Sequence, residues 1–138
     1  MLYAILCYDR EDVVAAWSPV QEQGTMARLA AVEDGLAAQG RLGPVARLMP
    51  TARAVTVTKG DAPLVIDGPF AETREQLLGF FVVDCASVDE AVTTARDLAR
   101  ANADGAGVYE IRPLALFRPG VAAGVTDGLS DTTPSPAG

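Results

Sequence analysis

The chain of 138 residues has the usual length of one domain, and 49% of its residues are hydrophobic, which is enough to form one core. Its formal net charge of −7 argues against nucleic-acid binding, which needs a basic face, and no N-terminal apolar run is long enough to cross a membrane. The absence of histidine excludes His-based triads and nearly all zinc sites.

The cysteine content gives no sign of a disulfide framework. Cys7 and Cys85 are too few for a disulfide framework and form no C-x-x-C motif, so we expect both to be free thiols. Together with the charge, this predicts a cytoplasmic protein without a metal and without a cofactor, which binds neither nucleic acid nor membranes.

The first third of the chain predicts a strand followed by a helix. Leu2–Tyr8 is a wholly apolar run of strand length, which is typical of a strand covered on both faces. The next segment fits either a short helix or a loop. Ser18 and Gln21 then form a capping-box pattern around Pro19, and apolar residues recur every three or four positions as far as Gly40, which predicts an amphipathic helix.

The middle of the chain predicts a connection and then a hairpin. Residues 41–53, which are bounded by prolines, are predicted to form a connection. Ala54–Thr58 alternates Val with Thr, as a half-exposed strand does, and Leu64–Asp67 is predicted to be a short returning strand.

Two strands and one helix complete the predicted domain. Leu77–Asp84 is a second wholly apolar strand, and Ser87 begins a helix with clean helical spacing. Val108–Leu114 is predicted to be the last strand, with Glu110 and Arg112 on one face because side chains alternate along a strand.

The chain is predicted to consist of a domain over residues 1–118 and a flexible tail over residues 119–138. The tail is rich in Gly, Pro, Ser and Thr and cannot bury enough apolar surface to offset the entropy lost on ordering.

The order β-α-β-(β)-β-α-β predicts an α+β, ferredoxin-like sandwich with both helices on one face of the sheet. Because two strands are apolar on both faces, the uncovered face of the sheet would expose a large apolar patch. We therefore expect a homodimer, formed when two copies stack through this open sheet face in an isologous arrangement.

Four segments of the sequence resemble one known family. They are D-G-P-F-A-E-T-R-E at Asp67–Glu75, then L-L-G-F-F-V-V-D, S-V-D-E-A and Y-E-I-R-P-L. These segments are similar to the YCII-related family, in the branch named for its D-G-P-F motif, and the resemblance covers roughly residues 1–115. Arg74 stands where that branch commonly has Lys.

The resemblance implies a dimeric α+β barrel of ferredoxin-like protomers. Members of the branch often occur beside extracytoplasmic-function sigma factors, which implies a regulatory role. Some YCII relatives use a His-Asp pair as acid and base, and one branch acts as a dehydrochlorinase. This chain has no histidine to supply the pair, so the resemblance does not carry that activity to it.

The D-G-P-F segment permits two interpretations. In the first, Gly68 and Pro69 form a turn, Phe70 anchors the loop in the core, and Thr73–Gln76 begins a small capping box. In the second, the segment lines a ligand site, because a turn does not require so many charged side chains and functional residues favour loops. The candidates for ligand binding in this segment are Asp67, Glu72, Arg74 and Glu75.

Three further charged residues are candidates for ligand binding. Glu110 and Arg112 form either an ion pair of little energetic value or, at the barrel mouth, a site where Arg112 binds an anion in a bidentate fork. Asp9 is either a strand-end cap or a site carboxylate. Trp17 and Tyr109 are interpreted as packing groups.

Two classes of function follow from these residues. We favour a small dimeric module without catalysis that binds a small anionic or polar ligand or acts in regulation. The alternative is a lyase or isomerase that uses carboxylate and Arg chemistry in the barrel cavity, and a scaffold for a partner protein is a third option. Carboxylates converging near an Arg would favour the enzyme, whereas a cavity filled by Phe80, Phe81 and Leu side chains would favour the module.

Overall fold

Residues 1–121 are described by a computed structural model, in which a four-stranded sheet carries helices on one face and a separate two-stranded hairpin follows its second strand. Residues 122–138, most of the predicted tail, lie outside the described residues. The elements are β1 (Leu2–Asp9), α1 (Glu11–Ala15), α2 (Pro19–Ala38), β2 (Leu42–Arg47), a short 3-10 turn (Thr51–Arg53), β3 (Val55–Val57), β4 (Val65–Asp67), β5 (Gln76–Asp84), α3 (Val88–Ala101) and β6 (Val108–Pro113).

The main sheet has the strand order β2-β5-β1-β6, and every neighbouring pair is antiparallel. β1 lies in the centre, where it pairs with β5 from Leu2–Asp84 to Asp9–Gln76, and with β6 on its other side. This order is compatible with a ferredoxin-like fold, so the predicted α+β class is confirmed.

The prediction that residues 41–53 form only a connection is wrong. Leu42–Arg47 is β2, an edge strand of the main sheet, whereas the strand predicted at Ala54–Thr58 belongs to the separate hairpin. The L-G-P-V-A-R sequence hides the strand, because Gly43 and Pro44 lie where the register with β5 shifts. A proline is tolerated on an edge strand or at a bulge, and such a strand lacks the alternation that reveals most strands.

Both predicted helix starts are confirmed. Ser18 Oγ accepts a hydrogen bond from the Gln21 backbone N–H at 3.1 Å, and Gln21 Oε1 accepts one from the Ser18 N–H at 2.9 Å. Ser87 Oγ accepts from the Glu90 N–H at 3.2 Å, while the Glu90 carboxylate accepts from the Ala86 N–H at 2.7 Å. The undecided segment after β1 forms the short helix α1.

The core lies between α2, α3 and one face of the sheet. Ile5, Val83 and Leu98 are fully buried there, and each burial contributes about 1.5–3 kcal/mol. Phe81 of β5 and Tyr109 of β6 pack with ring centroids 6.2 Å apart. The helices are therefore held on the sheet face formed by the odd-numbered residues of β1.

The opposite face of the sheet carries alternate residues of the same strands. Ala4 and Val82 are buried on this face, and Leu6 and Phe80 are partly buried. The core cluster that joins the helices to the sheet contains none of these four residues. The two apolar strands therefore direct apolar side chains to both faces, as the sequence predicts.

The β3–β4 hairpin holds several exposed apolar residues. It pairs with itself and makes few contacts with other elements. Val55, Val57 and Val65 are exposed, and Phe70, just beyond the hairpin, is 90% exposed. The interpretation of Phe70 as a core anchor is therefore wrong. An isolated hairpin is only marginally stable in water, and contacts within the single chain leave these apolar side chains uncovered.

Replacement of Gly79 tests the packing of β2 against β5. A Cβ at Gly79 would overlap the Ala46 carbonyl oxygen of the neighbouring strand, so we expect Gly79→Ala to lower the free energy of unfolding by about 1–3 kcal/mol. Gly35→Ala is the control, because nothing lies within 4 Å of the added methyl group and Ala favours the helix by up to about 1 kcal/mol. Urea denaturation measures both. A Gly79→Ala variant as stable as the wild type would contradict the tight β2–β5 contact.

Candidate functional site

A cleft of about 240 Å³ lies between the helix-facing side of the sheet and the helices α1 and α2. Its walls are mainly apolar and include Trp17, Met26, Leu29 and Phe81. Gly79 also lines the cleft, where the backbone of the neighbouring strand lies close to it. The chain thus encloses a cavity of a size that suits a small molecule.

One end of the cleft is polar, and Asp9 is its charged group. Asp9 ends β1 and is only 3% exposed. Its carboxylate accepts hydrogen bonds from the Arg10 backbone N–H at 2.7 Å and from the Ala106 backbone N–H at 3.2 Å. Asp9 is therefore a strand-end cap that also presents a buried carboxylate to the cleft.

Cys7, Asn102 and Tyr109 complete the polar end. The Tyr109 hydroxyl accepts a hydrogen bond from Asn102 Nδ2 at 3.0 Å and also lies beside the Cys7 thiol. Asn102 Oδ1 is buried and has no hydrogen-bond partner among the described residues. A buried carbonyl oxygen without a donor is uncommon and costs free energy.

Burial keeps the Tyr109 and Cys7 side chains neutral. It raises the pKa of Tyr109 above its ordinary value, and the nearby Cys7 and Asp9 raise it further, while the hydrogen bond from Asn102 opposes them. Burial likewise raises the pKa of the Cys7 thiol, with Asp9 adding to the effect and the Tyr109 hydrogen bond opposing it. Because the thiolate is the reactive form of cysteine, Cys7 lacks the features of an activated nucleophile.

The remaining charged residues of the cleft are Arg47 and Glu33. Arg47 Nη1 makes an ion pair with Glu22 Oε2 at 2.9 Å and also contacts the Met26 sulfur at 3.4 Å. Glu33 lies on α2, where partial burial raises its pKa and the neighbouring Asp34 raises it further. The cleft is thus lined by two carboxylates and one guanidinium that already has an acidic partner.

Helix α1 and Trp17 cover one side of the cleft and are held at both ends. The Glu11 carboxylate accepts hydrogen bonds from the Thr51 hydroxyl at 2.6 Å and from the Thr51 backbone N–H at 2.8 Å. Trp17 Nε1 donates to the Asp104 carbonyl oxygen at 3.0 Å. These bonds join α1 to the connection after β2 and to the loop after α3, so the cover of the cleft depends on three separate parts of the chain.

The structure does not bring the seven predicted site residues together. Asp9 lines the cleft, whereas the candidates of the D-G-P-F segment lie on the exposed end of the hairpin and the loop that follows it. Glu75 lies within electrostatic reach of Arg10, which is itself paired with Asp12 at 2.7 Å. The candidates outside the cleft are Asp67, Glu72, Arg74, Glu75, Glu110 and Arg112.

Glu110 and Arg112 lie on the opposite face of the sheet from the cleft. In the register of β6 with β1, Glu110 lies opposite Leu6 and Arg112 opposite Ala4. Both side chains are exposed, and within residues 1–121 neither takes part in an ion pair. The prediction that Arg112 binds an anion stays a prediction and concerns a different surface from the cleft.

The D-G-P-F segment follows β4 at the open end of the hairpin. Gly68 has φ of +96°, a conformation that favours glycine, and its N–H donates to the Ala54 carbonyl oxygen at 2.8 Å. The Gly68 carbonyl oxygen accepts from the Thr56 hydroxyl at 2.8 Å. The predicted turn role of Gly68 is confirmed. The capping box at Thr73–Gln76 is wrong, because the segment leads directly into β5 and begins no helix.

Sequence reasoning missed most of the cleft. Alternation of side chains along β1 places Cys7 and Asp9 near one face of the sheet, and alternation along β6 likewise assigns Tyr109 to one face. What joins them is the pairing of Cys7 with Tyr109 across the two strands, and a single sequence does not reveal that register. Glu33 and Arg47 carried no motif, and Arg47 lies in the strand that the sequence concealed.

Residues 1–121 show neither a metal-binding cluster nor a membrane-spanning helix. No group of three or more Cys, Asp or Glu residues lies close enough to hold a metal ion in this part of the chain. None of the helices described here has the length and apolar character needed to cross a membrane.

Comparison with known proteins gives two matches. Residues 1–118 match the family model described as the YCII-related domain. An uncharacterised protein from Rhizobium meliloti (strain 1021) is 54% identical over 121 residues, which are 87% of this chain and 97% of that protein.

The raised pKa of Tyr109 predicts a loss of stability at alkaline pH. The unfolded chain ionises this tyrosine near its ordinary pKa of 10.0, while the folded protein holds it neutral to a higher pH. The stability that Tyr109 contributes is therefore fully present below pH 10.0. Above that pH, the free energy of unfolding falls by up to about 1.4 kcal/mol per pH unit. We expect the free energy of unfolding of Tyr109→Phe to fall less steeply than that of the wild type between pH 9 and 11, as measured by urea denaturation. Equal slopes would show that Tyr109 ionises as readily in the folded state as in the unfolded one.

Proposed function

The chain belongs to the YCII-related domain family, and from this premise we propose that it is a small dimeric module that binds a small molecule without catalysing its conversion. The observation that carries the proposal is the cleft of about 240 Å³ between the sheet and α1–α2. Phe81 lines this cleft but leaves it open. Mostly apolar walls with a few polar groups at one end are typical of small-molecule sites.

The polar groups favour binding over catalysis. Asp9 already accepts two backbone hydrogen bonds, which tie it to the loop before β6. Arg47 is paired with Glu22, and burial keeps the Cys7 thiol neutral. The chain has no histidine that could act as a general base. These groups are suited to holding a ligand in one orientation.

A lyase or isomerase is the second candidate, and one observation favours it. Asp9 and Glu33 both line the cleft together with Arg47, which is the combination that acid–base chemistry with a charge-stabilising group would use. The raised pKa of Glu33 is the direction that a general acid requires. Turnover of a bound compound, followed by mass spectrometry, would distinguish the enzyme from the binding module.

The proposed dimer forms through the open sheet face, and two features of the protomer support it. Leu6 and Phe80 carry apolar surface on the face opposite the helices, and Val108 at the edge of that face is 62% exposed. Glu110 and Arg112 offer both signs of charge on the same face, as a self-complementary isologous interface needs. The exposed valines of the hairpin would extend the contact towards the roughly 800 Å² per partner of a standard interface.

The proposed module acts in regulation in the cytoplasm. Both cysteines are free, as expected in a reducing compartment. The D-G-P-F-A-E-T-R-E sequence at Asp67–Glu75 supports membership of the branch named for that motif, and a link to an extracytoplasmic-function sigma factor is part of the proposal on this resemblance alone.

Filling the cleft tests the binding function. Trp17 is the only tryptophan of the chain and lines the cleft, so its fluorescence reports occupancy when a panel of small aromatic and aliphatic fragments is titrated. Ala30→Phe places a ring in the cleft, and we expect it to abolish the fluorescence response. Ala31→Phe is the matched control, because Ala31 is also exposed on α2 but lines the groove towards α3. Fragments that bind Ala30→Phe as tightly as the wild type would place the binding site elsewhere.

A single charge on the open face tests the dimer. We expect wild-type protein to be dimeric by light scattering at micromolar concentration, and Val108→Asp to be monomeric because it would bury an unpaired carboxylate. Val88→Asp is the control, since Val88 is 53% exposed at the start of α3, away from this face. A wild-type monomer, or a Val108→Asp dimer, would refute the proposed interface.

A further inference from the structure

Several hydrogen-bond donors that line the cleft already have a partner within the protein. Trp17 Nε1 donates to the Asp104 carbonyl oxygen, and Asn102 Nδ2 donates to the Tyr109 hydroxyl. The Tyr109 hydroxyl lies in turn beside the Cys7 thiol. Arg47 is directed to Glu22 by an ion pair of 2.9 Å. A ligand that carried only acceptors would therefore depend mainly on Arg47, whose charge Glu22 already opposes.

The hydrogen-bond acceptors of the cleft, in contrast, have unused capacity. Asn102 Oδ1 is buried without a partner, and within residues 1–121 the Glu33 carboxylate accepts no hydrogen bond. Asp9 accepts from two backbone N–H groups, and a carboxylate can accept about four hydrogen bonds. The Asp9 and Glu33 carboxylates of the cleft thus keep lone pairs that no donor among residues 1–121 satisfies.

The charge of the cleft also favours a ligand that donates hydrogen bonds, because the cleft is acidic. Asp9 and Glu33 are the acidic residues of the lining, and Arg47, its basic residue, is opposed by Glu22. The chain as a whole has a formal net charge of −7, which attracts cations and repels anions at low ionic strength. Both short-range and long-range electrostatics therefore disfavour an anionic ligand at this site.

We propose that the cleft takes a small, mainly apolar amine, whose cationic nitrogen donates hydrogen bonds to the acidic groups of the lining while its apolar part packs against Trp17, Met26, Leu29 and Phe81. This inference rests on the proposed binding function and specifies its ligand class. The volume of about 240 Å³ gives room for about ten non-hydrogen atoms, by comparison with the cavity of roughly 150 Å³ that holds benzene in an engineered apolar site. An arylalkyl amine with a short linker has this size.

Three compounds of similar shape and different charge test the ligand class. Phenethylamine is a cation at neutral pH, phenethyl alcohol is neutral, and phenylacetate is an anion. Each is titrated into the full-length protein while Trp17 fluorescence and the thermal unfolding midpoint are recorded. We expect phenethylamine to bind at least about tenfold more tightly than phenylacetate, with the alcohol between them, as one charge–charge contact of about 1.4 kcal/mol would give.

Removal of the Glu33 charge tests whether this carboxylate binds the amine. Glu33→Gln keeps the shape of the side chain, and we expect it to weaken phenethylamine about fivefold while leaving phenethyl alcohol unchanged. Glu72→Gln is the matched control, because it removes the same charge from an exposed loop residue that does not line the cleft. Asp9→Asn serves as a second variant if its thermal midpoint shows that it folds, since Asp9 also holds two backbone N–H groups.

The outcomes separate the ligand class from the binding function. If phenylacetate binds as tightly as phenethylamine, the amine class is wrong, while the cleft remains a ligand site. If Glu72→Gln weakens phenethylamine as much as Glu33→Gln does, the effect is one of net charge and the assignment to the cleft is overturned. If none of the three compounds changes the Trp17 signal or the thermal midpoint at millimolar concentration, and no fragment of the panel does so, the proposed binding function fails as well.

Discussion

The antiparallel register of β1 with its two neighbours is the constraint on which the rest of the domain depends. β1 pairs with β5 along its whole length and with β6 from Tyr3 to Tyr8, so its residues from Tyr3 to Tyr8 have a fixed partner on both sides. Because side chains alternate, this register sends Ile5 into the helix-covered core and Leu6 to the opposite face. A shift of one residue would exchange the two faces, and it would remove both the core and the polar end of the cleft.

The same register explains how a buried polar cluster can form beside an apolar core. Cys7 lies between Gly79 on one strand and Tyr109 on the other, and the Tyr109 hydroxyl accepts a hydrogen bond from Asn102. Asp9 follows two residues later and captures the loop before β6 through the Ala106 N–H. Burial then keeps the thiol and the phenol neutral, so the charge at this end of the cleft belongs to Asp9. A cluster of this kind orients a ligand by hydrogen bonds more readily than it performs nucleophilic chemistry.

The exposed hairpin and the open sheet face have a common physical basis. Apolar side chains that no helix covers lower the solubility of a single chain, and large patches of them usually mark an interface. Gly68, with φ of +96°, fixes the end of the hairpin, and Phe70 beyond it stays 90% exposed. The D-G-P-F segment therefore lies on an exposed surface, whereas the cleft with its separate residues lies under α1 and α2.

The sequence by itself determined those features that depend on neighbouring residues along the chain. The capping box at Ser18, the positive φ of Gly68 and the apolar strands β1 and β5 follow from local sterics and alternation, and they predicted the α+β class. The tertiary structure alone decided that Leu42–Arg47 is a strand, because only pairing with β5 holds Gly43 and Pro44 in an extended edge. It also decided the candidate site, since Asp9, Glu33 and Tyr109 come from three elements far apart in the chain and meet only when the strand register and helix packing are set.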